Sequence, residues 1–323
     1  MYIEHAIITE KIIKDAINWA FDWAFTIRNK DFGWGGHPHA RTFLTDHCEI
    51  MYGMLKAGLN SKSNEVKKSL AYVHEKLRNK SWPEPVETSR MHFWALLTLI
   101  EAGEPIDSPS IQESLKAVKK FKVKGKGWAR EMGKASNVYD TYLAILALKR
   151  FKGFKEELEE AKNWLIKTQN EDGGWGFLEA NLSDYTPTAI GALALIELGE
   201  RNNKSVKRAI EWLISTQLDT GRWRLSYETP IFWNENIYIH FSTPWAITAL
   251  LKNGVEIESK SIQKGIKYLL NLQDLTGGWP FIGDKEGLHF LWSQKMILCT
   301  WATGHALIAL ASYLERLKEK TNV

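Results

Sequence analysis

Two kinds of segment alternate along this chain, and they differ in how apolar residues are spaced. In one kind, apolar residues recur at helical spacing, as in Ala161, Trp164, Leu165 and Thr168, which predicts an amphipathic helix with one solvent-exposed face. The other kind is apolar almost throughout and usually ends at a glycine suited to stopping a helix, as in TAIGALALIELG and PWAITALLKNG. The pattern predicts an all-α protein of outer amphipathic and inner buried helices, with one short strand around residues 237–239.

Tryptophans show that these helix pairs repeat. Six of the 15 tryptophans lie in short polar or glycine-rich turns, at spacings of 48, 46, 47, 48 and 56 residues: Trp34, Trp82, Trp128, Trp175, Trp223 and Trp279. Six residues before the turn Trp, three copies carry a glutamine and the others carry a cation: Gln169, Gln217 and Gln273 against Arg28, Lys76 and Lys122. Repeated helix pairs can bury their apolar faces only by stacking into a ring or solenoid. Residues 1–323 are therefore predicted to form a single domain of twelve helices.

Composition and charge exclude several classes of protein. With 44% apolar and 25% charged residues in 323, the chain is predicted to be globular rather than disordered. Its net charge of +4 comes from scattered residues of both signs, which gives little support to nucleic-acid binding. Cys48 and Cys299 lie far apart in apolar segments, which favours reduced thiols and a cytoplasmic location. No apolar run reaches the roughly 18 residues of a membrane span, although peripheral contact with a membrane is left open.

The glutamine followed by Gly-x-Trp at the end of a helix resembles the QW repeat of squalene–hopene cyclases and, more broadly, of the prenyltransferase and squalene-oxidase repeat superfamily. The resemblance covers essentially the whole chain. It implies an α6/α6 toroid, with six parallel inner helices around an apolar central cavity and six outer helices antiparallel to them. It also implies that the glutamine and the turn Trp stabilise the fold rather than take part in chemistry, and it implies no cofactor.

Parallel inner helices would bring their N-termini together at one mouth of the toroid. Unpaired N–H groups and positive helix-dipole ends would point there, so this mouth should favour anions or an ionised carboxylate. The side chains near the starts of the inner helices are therefore the candidate ligand-binding residues: Asp46, His92, Tyr139, Asp184, Trp245, Trp301 and His305.

One of these helix starts resembles the acid motif of the cyclases. In that family the proton donor is the middle Asp of a DxDD motif, and here Asn137, Tyr139 and Asp140 of SNVYDTYLAILAL occupy the three Asp positions. A tyrosine, with a pKa near 10, cannot protonate an alkene, so Asp140 is the candidate catalytic acid. The alternative is that Asp140 only caps its helix. In that case the protein would be a relative that has lost or changed its chemistry.

Two other kinds of site are left open by the residue types. Asp46 and Cys48 have the Asp-x-Cys spacing of the zinc-binding prenyltransferases, and ring closure would bring His305 near them, giving a three-ligand open zinc site. The alternative is that Cys48 is a small buried apolar residue. Asp140 and Asp184 begin adjacent inner helices, whose axes should lie about 8–10 Å apart. That separation overlaps the distance between the two carboxyl groups of inverting glycosidases.

The two longest connections are rich in aromatic residues. From the fifth and sixth turn tryptophans to their inner helices, the chain spans 20 and 24 residues, and these loops contain Trp233 and Trp292. Loops of that length in a compact domain are usually functional, so they are predicted to fold over the mouth. An aromatic lid would suit an isoprenoid, a carbocation or the face of a sugar. The alternative is that the two loops merely plug the toroid.

The leading hypothesis is a terpene-cyclase-like toroid that binds an isoprenoid or other apolar ligand in its central cavity. The resemblance favours a protonation-initiated cyclase with an altered acid motif. A non-catalytic scaffold that binds a ligand or a protein is the alternative, and a glycan-active toroid is the third hypothesis. The sequence identifies neither the substrate nor the oligomeric state.

Overall fold

Helices in outer and inner positions alternate along the computed structural model, which describes residues 7–228, 238–281 and 297–321. These residues form twelve α-helices, numbered α1 to α12 in chain order. The odd-numbered helices are the outer ones: α1 (Glu10–Thr26), α3 (Asn64–Asn79), α5 (Pro109–Val118), α7 (Lys155–Lys167), α9 (Lys204–Ser215) and α11 (Lys260–Leu272). The even-numbered helices are the inner ones: α2 (Leu44–Lys56), α4 (Ser89–Glu101), α6 (Val138–Leu148), α8 (Tyr185–Glu197), α10 (Ser242–Asn253) and α12 (Thr300–Thr321).

Burial separates the two layers as the hydrophobic pattern predicts. Outer helix α1 buries one stripe of residues, including Ile13, Ile17 and Ala20, whereas inner helix α8 is buried at every position from Thr186 to Leu195. Five outer helices begin after a Ser, Thr or Asn whose side chain accepts a backbone N–H of the first turn: Thr9, Ser63, Ser108, Asn203 and Ser259. Such caps satisfy otherwise unpaired donors and fix where each outer helix begins.

The six inner helices close into a ring. Each contacts the next inner helix in chain order, and α12 packs against α2. At that seam a Cβ atom added to Gly53 would lie 2.4 Å from the carbonyl oxygen of Gly304, so only glycine allows this approach. The outer layer also closes, because the Gln273 side chain donates to the carbonyl of Ala16 at 2.8 Å. The predicted α6/α6 toroid is confirmed.

The starts of neighbouring inner helices lie side by side, which shows that these helices run in parallel. The Ser89 hydroxyl of α4 donates to Asp140 of α6 at 2.6 Å, and the Thr186 hydroxyl of α8 donates to Ser242 of α10 at 2.9 Å. All six N-termini therefore face one mouth of the toroid, as predicted.

In most copies the turn Trp connects an outer helix to the inner helix that follows it. In four copies the indole Nε1 donates to a carbonyl ten residues earlier, at 2.6–2.8 Å, from Trp34, Trp175, Trp223 and Trp279. In four copies the backbone N–H of the Trp donates to a threonine hydroxyl on the inner helix at 3.0–3.1 Å, namely Thr141, Thr188, Thr243 or Thr303. His47 takes that place in copy one and stacks on Trp34, with ring centroids 5.3 Å apart.

The residue six positions before the turn Trp joins neighbouring repeats. Gln169 donates to the carbonyls of Gly173, in its own turn, and Ser205, in the next outer helix, both at 2.8 Å. In copy three, Lys122 donates to the carbonyl of Lys126 at 2.8 Å and pairs with Glu160 of the next outer helix at 2.6 Å. A cation thus preserves the connection where the glutamine has been replaced.

Short strands flank the two long connections. Strand β1 (Ser226–Glu228) pairs antiparallel with β2 (Tyr238–His240), and β3 (Pro280–Phe281) pairs antiparallel with β4 (Ile297–Leu298). The β2 strand confirms the strand predicted near residues 237–239. Trp233 and Trp292, predicted to belong to an aromatic lid, lie outside the described residues.

Candidate active site

Asp140 is held in a buried ion pair and does not cap its helix. It is the third residue of α6 and is fully buried, and its carboxylate accepts from Arg90 at 3.0 and 3.3 Å and from the Ser89 hydroxyl at 2.6 Å. Asn137 is the residue that caps α6, since its side-chain oxygen accepts the Asp140 N–H at 2.8 Å. The interpretation of Asp140 as an N-cap is therefore wrong. Arg90 and Asp140 are thus joined by charge-assisted hydrogen bonds inside the protein.

A second buried carboxyl group, which the sequence analysis did not select, lies at the centre of the ring. Glu49 of α2 is only 6% exposed, and its Oε1 atom accepts from the Tyr139 hydroxyl at 3.2 Å. Nε2 of His305, on α12, lies 2.6 Å from the same oxygen. No described residue forms a hydrogen bond with Oε2 of Glu49. Three helices from different repeats thus converge on one carboxyl group.

Indole rings surround His305, the histidine that contacts this carboxyl group. Ring centroids of Trp245, Trp94 and Trp301 lie 4.5, 6.3 and 6.2 Å from that of His305. Nδ1 of His305 and Nε1 of Trp245 are buried and have no hydrogen-bond partner among the described residues. The centre of the ring thus holds a buried carboxyl group and two buried nitrogens without a hydrogen-bond partner among the described residues, beside several indole rings.

Repeat position gives a signal by which Glu49 could have been found. In each repeat, one position of the inner helix contacts the turn Trp, and in copies one, five and six it is occupied by His47, Thr243 and Thr303. Two residues after that position, these copies carry Glu49, Trp245 and His305. Equivalent positions of parallel inner helices lie at the same depth in the ring. A glutamate at this position, in a helix that is otherwise largely buried, therefore marks the centre of the toroid.

Asp46 lies one helical turn before Glu49, at the mouth. Burial, with smaller contributions from Glu49 and Glu84, raises the pKa of Asp46 to about 8. Burial also raises the pKa of Glu84 above its usual range. Glu84 accepts the backbone N–H of Thr45 at 2.9 Å and so caps α2 from the loop of the next repeat. Asp46 is thus a carboxyl group that is largely protonated at neutral pH.

The other predicted residues divide between this centre and the outer wall. Tyr139, Trp245, Trp301 and His305 meet at the centre, as described above. His92 instead pairs with Glu87 at 2.8 Å and contacts the ring of Trp82, which places it on the outer side of α4.

Asp184 has a structural place at the start of α8. It is the N-cap of that helix, accepting the N–H of Tyr185 at 2.7 Å and the hydroxyl of Ser226 at 2.8 Å. Asp140 is bound by Arg90 on the neighbouring helix. Each carboxylate therefore has protein partners of its own, so the geometry gives no support to the predicted glycosidase-like pair.

The suggested zinc site is not formed. Cys48 is fully buried, and burial raises the pKa of its thiol well above the ordinary value. Across the described part of the chain, no group of three or more His, Cys, Asp or Glu side chains could hold a metal ion. Asp46, Cys48 and His305 therefore do not form the metal centre that their spacing left open, because Cys48 is packed as an apolar residue and His305 is bound to Glu49. Within the same ranges, no helix is both long and apolar enough to cross a membrane.

Comparison with known proteins places this arrangement in a family. The family model of the squalene–hopene cyclase C-terminal domain matches residues 88–242 and 186–314. The chain belongs to this family. A squalene–hopene cyclase from Zymomonas mobilis is 30% identical over 142 residues, which is 40% of this chain and 21% of that relative. A drimenyl diphosphate synthase from Streptomyces showdoensis is 27% identical over 215 residues, which is 61% of this chain and 39% of that relative. The chain thus covers between about a fifth and two fifths of the length of these relatives.

Solved structures agree on the fold of this family member. A variant of the type II terpene cyclase MstE from Scytonema, in complex with its substrate geranylgeranyl dihydroxybenzoate, superposes with a TM-score of 0.67. The alignment covers 95% of this chain and 99% of that one, at 18% sequence identity. This likeness supports the toroid independently of the repeats in the sequence.

Proposed function

We propose that this protein binds an isoprenoid among the aromatic rings at the centre of its toroid and cyclises it by protonating a double bond. We also propose that residues 1–323 act as a single domain. The observation that carries the proposal is the Glu49 carboxyl group, buried and bound at one oxygen by Tyr139 and by His305, which indole rings surround. The family match and the type II terpene cyclase among its structural neighbours support this class of reaction.

Glu49 has the contacts that a proton donor needs. In its neutral form the proton lies on Oε2, while Oε1 accepts the hydrogen bonds of Tyr139 and His305. Transfer of this proton to an alkene carbon leaves a carbocation on the substrate and a carboxylate on Glu49. The two hydrogen bonds then stabilise the carboxylate, because bonds to an ionised acceptor are stronger than bonds to a neutral one. The cyclised cation ends the reaction by losing a proton to water, or by capturing a water molecule that then releases a proton, and Glu49 takes up a proton from solvent before the next turnover.

The indole rings would stabilise the positive charge that the substrate carries between these steps. A cation within about 6 Å of an indole centroid is attracted by the ring quadrupole, more strongly where water is excluded. Trp94, Trp245 and Trp301, on three different inner helices, surround His305, whose Nε2 lies 2.6 Å from the carboxyl group. An alkene protonated at Glu49 would therefore develop its charge beside an aromatic face.

In this proposal Asp140 positions the site rather than acting as its acid. Its carboxylate is bound by Arg90 and Ser89, so transferring a proton from it to a substrate would compete with the buried hydrogen bonds that hold the carboxylate. Arg90 also lies over the ring of Tyr139, 4.5 Å from the centroid. The ion pair thus holds in place the tyrosine that donates to Glu49.

Incubation with prenyl diphosphates and with squalene, followed by mass spectrometry of the products, tests the proposal. Glu49→Gln should lower turnover by about 100-fold or more, the range lost when a general acid is removed. Glu75→Gln, which removes an exposed carboxylate on an outer helix, is the matched control and should turn over like the wild type. Far-UV circular dichroism of each variant shows whether the fold is intact.

Asp140→Asn separates the two candidate acids. Activity that persists in Asp140→Asn and is lost in Glu49→Gln supports Glu49, whereas the reverse result would return the acid role to Asp140. Quenching of tryptophan fluorescence by the same compounds measures binding without turnover. Binding with no product from the wild type would instead support the non-catalytic scaffold.

A further inference from the structure

A cavity of about 560 Å³ opens at the end of the toroid opposite the mouth, where α6 and α8 end and α7 begins. This volume falls within the range of small-molecule sites. Phe151, Leu158 and Leu198 form its apolar part. The remaining lining side chains are five cations and two carboxylates, so positive charge predominates.

The two carboxylates are already bound to two of the five cations. Lys149 pairs with Glu197, and Lys162 pairs with Glu159 at 2.8 Å. The other three cations are Arg150, Lys152 and Lys155, whose side chains form no ion pair or hydrogen bond with any residue that the structure describes. Three positive charges within six positions of the chain thus line one cavity, and none of the three is paired with a carboxylate among the described residues.

The helix dipoles favour only one of the two helix-end cations, Arg150, and disfavour the other, Lys155. Arg150 follows the C-terminal end of α6, where a cation is favourable. Lys155, in contrast, is the first residue of α7, where the positive end of the helix dipole disfavours a cation. The N-cap residue of α7 is Phe154, whose side chain caps no N–H group. Glu156 and Glu157 follow in the first turn of α7, but neither lines the cavity.

We propose that this cavity binds the phosphate group of an organic ligand, with Arg150, Lys152 and Lys155 around the phosphate and the apolar part of the ligand against Phe151 and Leu158. Arginine and lysine side chains and the N-terminus of a helix are the groups that proteins use to bind phosphate. This site is separate from the proposed active site, because it lies at the other end of the inner helices. The same chemistry fits a soluble phosphate ester or the headgroup of an anionic lipid.

Titration calorimetry with phenyl phosphate, beside inorganic phosphate, tests the site for a soluble ligand. Co-sedimentation with vesicles of phosphatidylcholine, with or without phosphatidic acid, tests it for a lipid. The variant replaces Arg150, Lys152 and Lys155 by Gln, and the matched control replaces Lys11, Lys67 and Lys207, three exposed lysines on outer helices, by Gln. Both proteins lose the same charge.

We expect the wild type to bind phenyl phosphate more tightly than inorganic phosphate, or to bind only the vesicles that contain phosphatidic acid. The first result identifies a soluble ligand and the second a lipid headgroup. The variant should weaken binding by about tenfold or more, since it removes the charge-assisted bonds to the phosphate, while the control should bind like the wild type. No binding in either assay, or an equal loss in the control, would overturn the proposal. Turnover at Glu49 should be unchanged in the variant, so the two proposals can fail independently.

Discussion

His47 makes the stability of this protein sensitive to acid. The ring is fully buried between Trp34 and Tyr72, with centroids 5.3 and 5.1 Å away, and its Nε2–H donates to the carbonyl of Ser69 at 3.1 Å. Nδ1 is buried and has no partner among the described residues. Protonation would place a second N–H where nothing accepts it. Burial accordingly lowers the pKa of His47 to about 4.

The direction and size of the effect follow from this pKa. An unfolded histidine has a pKa of about 6.5, so between pH 6.5 and pH 4 the unfolded state binds a proton that the folded state does not bind. The contribution of His47 to stability is complete above pH 6.5 and is lost as the pH falls toward 4. The difference in pKa corresponds to about 3 kcal/mol in total, and to about 2 kcal/mol between pH 7 and pH 5.

The repeat itself suggests the substitution to test. Threonine stands at the equivalent position in four other copies, where its hydroxyl accepts the backbone N–H of the turn Trp, so His47→Thr should preserve that connection. Urea unfolding followed by tryptophan fluorescence gives the free energy of unfolding of both proteins from pH 8 to pH 5. The wild type should lose about 2 kcal/mol relative to His47→Thr over that range.

Comparing the two proteins removes the contribution of Asp46, which titrates in the opposite sense and is present in both. His37→Thr, at an exposed loop position, is the control and should follow the wild type at every pH. Parallel pH profiles for the wild type and His47→Thr would refute the assignment of the acid sensitivity to His47.

Three other substitutions test the geometry of the mouth and the seam. The pKa of Asp46 is raised to about 8, so the folded protein loses stability as the pH rises toward and through 8 and this carboxyl group must ionise. Asp46→Asn should therefore be more stable than the wild type at pH 9 and should lose that advantage toward pH 5 in the same urea assay. Arg90→Met should lower the free energy of unfolding by about 3–5 kcal/mol by leaving the Asp140 charge unpaired, and adding Asp140→Asn should restore part of the lost stability. Gly53→Ala should destabilise the protein by about 1–3 kcal/mol, and so lower its thermal midpoint, because the added methyl group forces α2 away from Gly304. An unchanged midpoint would contradict the close approach at the seam.

The fold was predictable because its determinants are local and repeated. A turn Trp at regular spacing, an apolar inner segment and, in most copies, a glycine after that segment together specify one helix pair, and six such pairs can bury their inner faces only by closing a ring. Positive φ at Gly58, Gly103, Gly199 and Gly254 confirms the glycine stops. The bridging role of Lys122 was missed, because a cation replaces the glutamine by pairing with a glutamate 38 residues away.

The site was less predictable because its partners come from distant repeats. Tyr139 and His305 meet Glu49 across 90 and 256 residues of sequence, and helical periodicity gives the face of a helix but not the side chain opposite it. The same limit explains the wrong N-cap. Asp and Asn are equally good caps, and only the tertiary pairing with Arg90 decides that Asp140 faces the neighbouring helix while Asn137 caps α6.

Division of labour among repeat positions explains how one scaffold can hold different chemistries. The position that contacts the turn Trp is threonine in four copies, because its role is to connect the turn to the inner helix. Two residues later, the side chain faces the centre and forms no such connection, and there the copies differ: Glu49, Trp245 and His305 occupy the position in copies one, five and six. Substitutions at that position change the lining of the centre without breaking the contacts that close the ring. The acid of a toroid of this kind can therefore lie on any of its inner helices, and the proposed shift from α6 to α2 requires only a glutamate at the position that faces the centre.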